Sequence, residues 1–106
     1  MIKSFNFYSK LGINKQIDHE CVGTIVTEKP IKGIQIAIST FPMLHVEVWL
    51  QNDKGEDFGY VETGSSGSAN VFLPIQMTTL FLYVYCWAHR MSVIGSDFHF
   101  KITVYM

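Results

Sequence analysis

The ten residues from Leu80 to His89, LFLYVYCWAH, constrain the fold more than any other stretch of this chain. In an extended strand, successive side chains point to opposite faces. Leu80, Leu82, Val84, Cys86 and Ala88 then form an aliphatic face. Phe81, Tyr83, Tyr85, Trp87 and His89 form a ladder of rings on the other. A strand with one face in water does not have this composition, so both faces need something to touch.

The same period of two recurs along the chain. Phe5 and Phe7 alternate with Ser4, Asn6 and Tyr8, and Ile34, Ile36 and Ile38 with Gln35, Ala37 and Ser39. Leu44, Val46, Val48 and Leu50 alternate with Met43, His45, Glu47 and Trp49. Phe98, Phe100, Ile102 and Val104 alternate with Asp97, His99, Lys101, Thr103 and Tyr105. Turn residues punctuate these runs. Gln51 to Gly55 reads as a turn with Gly55 free to take a left-handed backbone, and Pro30, Pro42 and Pro74 break the chain elsewhere. Thr63 to Ser68 is small and uncharged, and Met91 to Ser96 reads as a loop containing Gly95.

About eight strands follow, near 3–9, 17–27, 32–39, 43–51, 57–63, 68–73, 79–89 and 97–105. No window carries a helical stripe, and the connections are too short for helical crossovers, so pairing is expected to be antiparallel. The expectation is an all-β, single-domain antiparallel β-sandwich spanning 1–106, jelly-roll-like, with a small β-barrel as the alternative.

Composition narrows the function classes. Charged residues are 16 % of the 106-residue chain, against roughly 25 % in an average soluble protein. Mean hydropathy is +0.20. So small a domain has much surface and few polar groups to cover it, which points to cover by another molecule, most simply a second copy. The net charge of −1 and the lack of any Lys/Arg run argue against nucleic acid. No apolar run is long enough for a membrane helix, and MIKSFNFYSK has no signal-like core, so a cytoplasmic location is expected, with secretion after processing the other option. There is no glycosylation sequon, and two cysteines are too few for a disulfide scaffold.

The aliphatic set of 80–88 matches those of 43–50 and 97–104, which places it in the core and turns Phe81, Tyr83, Tyr85 and Trp87 outward with Trp49, Glu47 and His45. Three readings of the ring face compete. The rings are core and the aliphatic side lies under a loop. The rings are a protein interface, for homo-oligomerisation or a partner protein, where Tyr and Trp dominate binding energy. Or they form a platform for a glycan, with His45, Glu47 and Gln35 meeting its hydroxyls. Residues 63–68 would serve as a contact loop beside that face.

Candidate chemistry is thinner. His19 and Cys21, with Cys86 and His89, make a two-His, two-Cys set of the donors zinc prefers, although their spacing matches no zinc-finger pattern. A Cys21–Cys86 disulfide would need the second and seventh strands to be neighbours. His45, Glu47, Asp97 and His99 form an outward polar set suited to a metal or to acid–base work, or simply to a solvated face. Ser65, Ser66 and Ser68 lie in a glycine-rich loop without a nucleophile elbow or a P-loop lysine. The expectation is therefore a non-enzymatic, cofactor-free binding protein acting through its aromatic face, of a size that suits a viral or mobile-element protein. A carbohydrate-binding module and a small zinc protein are the alternatives.

Overall fold

The structure is a computed structural model that describes residues 1–10, 17–40, 44–63, 67–78, 81–89 and 97–106, with the side chains of Lys10, His19, Phe58, His89 and Asp97 outside the description. Eight strands run in order: β1 (Ile2–Lys10), β2 (Ile17–Val26), β3 (Gly33–Ser39), β4 (His45–Asn52), β5 (Asp57–Glu62), β6 (Ser68–Leu73), β7 (Phe81–His89) and β8 (Asp97–Tyr105). Each falls within two residues of the segment expected from alternation. Leu80, residues 41–43, residues 64–66 of the expected 63–68 contact loop, with Ser65 and Ser66, and the 91–96 loop with Gly95 lie outside the described residues.

The strands form two four-stranded antiparallel sheets, ordered β1-β8-β3-β6 and β2-β7-β4-β5. Successive strands change sheet at every connection except β4–β5, the one hairpin within a sheet. This is a jelly-roll-like sandwich. Among the described residues no strand pairing joins the two sheets, and successive strands alternate between them instead of pairing in order, so the small up-and-down barrel does not apply.

The β4–β5 turn follows from two residues. Asn52 Oδ1 accepts from the backbone N–H of Lys54 and of Glu56, both at 3.0 Å. Gly55 takes a φ of 80°, a left-handed conformation that costs glycine little. The expected role of Gly55 is thus realised.

The core lies between the sheets. Val46, Val48 and Leu50 of β4 and Leu82, Val84, Cys86 and Ala88 of β7 face Ile34, Ile36, Ile38, Phe98, Phe100, Ile102 and Val104. The aliphatic face of β7 is therefore the inner one and its rings point outward. At the open sides of the sandwich, glycines admit large side chains from the opposite sheet. A Cβ on Gly23 would strike the ring of Phe7, and one on Gly59 would lie 2.6 Å from Leu73 Cδ1. Phe7 in turn stacks on Phe100, with centroids 5.0 Å apart.

Candidate functional site: the aromatic face of the second sheet

Cross-strand register assembles the outer face of β2-β7-β4-β5 in rows. Cys21, Tyr85, Trp49 and Tyr60 lie side by side, one from each strand. The next row holds Trp87, Glu47 and Glu62, and beyond it the backbones of His89 and His45 are paired. On the other side come Thr24, Tyr83 and Gln51, and then Val26 and Phe81. The expected binding residues Phe81, Tyr83, Tyr85, Trp87, Trp49, His45 and Glu47 thus share one surface.

The rings pack on one another rather than standing free. Trp49 stacks on Tyr60 with centroids 4.4 Å apart and planes 11° from parallel. His45 meets Trp87 edge-on at 5.1 Å. Tyr83, Tyr85, Trp87 and Trp49 are all half-buried. Tyr60, Phe81 and Val26 remain more open, at 47 %, 43 % and 51 % exposure.

A carboxylate is fixed among these rings. Trp49 Nε1 donates to Glu47 Oε1 at 3.0 Å. The other oxygen, Oε2, lies 3.1 Å from His45 Nε2. Glu62 Oε2 is 3.6 Å from the same imidazole nitrogen. Position also comes from below. Buried Thr63 donates its hydroxyl to the Leu44 carbonyl and accepts from the Val46 N–H, both at 3.1 Å, so it clamps the backbone on either side of His45.

The other sets expected from the sequence are not brought together. His99 lies on β8, in the opposite sheet, where it stacks on Tyr8 at 4.7 Å and reaches Asn6 Oδ1 at 3.1 Å. Asp97 shares that strand, so the His45, Glu47, Asp97, His99 set is divided between the two sheets. Gln35 is also on the far sheet, bonded to Asn70 and to Tyr105, and is no companion of His45.

The zinc set divides as well. β2 and β7 do pair, but Cys21 faces Tyr85 on the outer surface while Cys86 is buried in the core, and both thiols are free. Burial, with the Glu20 carboxylate adding to it, pushes the Cys86 thiol up to about 12. A protonated core thiol is neither a metal ligand nor a nucleophile. The two cysteines lie on opposite faces of one sheet, which also removes the disulfide between them. The side chains of His19 and His89 lie outside the description.

Sequence reasoning missed two members of the face, Tyr60 and Glu62. Their i, i+2 spacing in DFGYVE is the signal that places them on one side of β5. It also missed that the first sheet carries rings of its own. Tyr8 is 77 % exposed, and Phe72 lies across Gly33 against Tyr105.

No protein-family model matches the sequence, and no curated protein matches it. Solved structures do. The SPBc2 prophage-derived protein YomS superposes with a TM-score of 0.57 at 14 % identity, over 99 % of this chain and 94 % of its own. A mitogen from Yersinia pseudotuberculosis superposes with a TM-score of 0.53 at 7 % identity, over 99 % of this chain and 88 % of its own. At such identities the likeness is one of fold, and it spans the whole sandwich.

Proposed function

We propose that this chain is a non-enzymatic binding protein whose outer β2-β7-β4-β5 face docks on another protein surface, in the first instance a second copy of itself. One observation carries the reading. Tyr85, Trp49 and Tyr60 form a continuous row of rings across three neighbouring strands, flanked by Trp87, Tyr83 and Phe81, on a face that no described strand covers. Rings already packed against each other lose little side-chain freedom on contact, which is what makes Tyr and Trp effective interface residues. The shortage of charge in the chain supports the same reading. A prophage protein of the same fold fits an origin in a virus or mobile element.

A glycan platform is the second reading. Glu47, held by Trp49 and His45 among the rings, favours it by offering an oriented acceptor for sugar hydroxyls. Against it, Trp49 and Tyr60 spend a ring face on each other, and stacking on a sugar needs open ring faces.

The test is the mass in solution by light scattering on a sizing column, for wild type and for Tyr85→Ala with Trp87→Ala. A wild type heavier than the 12.1 kDa chain, with a folded monomeric variant, supports docking between copies. A monomeric wild type sinks self-association. Retention on a glycan array that the same double change abolishes would favour the second reading.

A further inference from the structure

The face holds one more constellation. His45 and Glu47 are two residues apart on β4, so their side chains leave the sheet on the same side. Glu62 lies directly opposite Glu47 on β5. From this we infer that His45, Glu47 and Glu62 form a binding site for a first-row divalent transition-metal ion of the zinc type.

Distance supports the assignment. Nitrogen and oxygen donors about 2.0–2.2 Å from a tetrahedral ion lie about 3.3–3.6 Å from one another. His45 Nε2 is 3.1 Å from Glu47 Oε2 and 3.6 Å from Glu62 Oε2. All three donors fall within 4.8 Å of one another, so small side-chain rotations close the set around an ion. An imidazole with two carboxylates suits zinc and its neighbours better than calcium or magnesium, which prefer oxygen alone.

The surroundings support it too. Two carboxylates directly opposite in a sheet repel each other, and among the described residues no Lys or Arg pairs with either, the His45 imidazole being their shared neighbour. A bound cation removes that repulsion. The outer contacts are those that orient metal ligands: Trp49 Nε1 on the distal oxygen of Glu47, Trp87 against the His45 ring, and Thr63 fixing the backbone either side of His45. Three protein ligands leave a fourth position for water or for a donor from a docked molecule, as in open zinc sites.

The site stands or falls independently of the docking reading, because its ligands and its readout differ. Chelator-stripped protein is titrated with zinc by calorimetry and with cobalt by absorption spectroscopy, for wild type, Glu62→Gln and His45→Gln, with circular dichroism to confirm folding. The expected result is one zinc per chain and the visible bands of four-coordinate cobalt. Each substitution should weaken zinc by more than roughly 100-fold, the upper end of what loss of an outer contact alone costs. Glu62 is half-exposed, so Glu62→Gln keeps the test alive should His45→Gln fail to fold. No uptake by folded wild type overturns the assignment. Uptake that Glu62→Gln leaves unchanged also overturns it, since the ion would then sit elsewhere.

Discussion

Trp49 and Tyr60 occupy facing positions on β4 and β5, and their rings lie nearly parallel at 4.4 Å. An aromatic cross-strand pair contributes about 0.5–1.5 kcal/mol beyond its buried area. The same stack aims Trp49 Nε1 at Glu47, so it orders the polar centre of the face as well as the hairpin. Tyr60→Ala should lower stability by about 1–2 kcal/mol in denaturant unfolding. It should also shift Trp49 emission to longer wavelength as water reaches the indole. Tyr60→Phe keeps the ring and should behave like wild type. Unaltered unfolding and emission in Tyr60→Ala would mean that the stack contributes nothing.

The open side of the sandwich between β1 and β2 offers a second test. Gly23 faces inward there, and the space a side chain would need is filled by Phe7. That ring is not free to swing away, because it is stacked on Phe100 in the core. Gly23→Ala should therefore cost about 1–3 kcal/mol, the usual penalty for overpacking. Adding Phe7→Leu should recover part of that loss, since the smaller side chain makes room. Strictly additive losses in the double variant would refute the contact.

These relationships differ in how far the sequence discloses them. All eight strands are legible because alternation and turn chemistry are local: Ile34, Ile36 and Ile38 mark β3 without reference to anything else. The inner face of β7 is legible too, because Leu82, Val84 and Cys86 match the aliphatic sets of β4 and β8. What local pattern does not contain is which strands become neighbours. His45 and His99 look alike in the sequence, yet β4 and β8 belong to different sheets, so the two face opposite sides of the molecule. Glu62 meets His45 through the β4–β5 register, which the Asn52–Gly55 turn sets together with the irregularity between Leu50 and Gln51. A mild alternation in DFGYVE does not announce that register. Cys21 and Cys86 likewise share a strand pair but not a face, and only the pairing reveals it.

Thr63 gives a third prediction. Its buried hydroxyl serves both the Leu44 carbonyl and the Val46 N–H, where β4 begins. Thr63→Val preserves shape and removes both bonds, at a cost of about 1–3 kcal/mol for buried groups deprived of partners. Amide exchange at Val46 should accelerate more than exchange in the middle of β7. Thr63→Ser retains the hydroxyl and should hold Val46 protection near wild type. Equal exchange in Thr63→Val and wild type would show that the clamp is not formed.

The two cysteines differ enough to be told apart by reagent and by pH. Cys21 is exposed on the outer face, whereas Cys86 is fully buried beneath it. A thiol reagent near neutral pH should label Cys21 rapidly in native protein and reach Cys86 only as fast as the sandwich opens. The pH dependence follows from the Cys86 thiol, raised from 9.0 to about 12 by burial first and by Glu20 second. Between those values the unfolded chain has released the proton and the folded chain still holds it. Stability must then fall as pH rises through that window. Cys86→Ala removes this proton, so its stability should decline less steeply from pH 9 to 12 than that of wild type, whatever the cavity costs at neutral pH. Identical labelling rates for the two thiols, or parallel alkaline slopes for the two proteins, would contradict a buried, protonated Cys86.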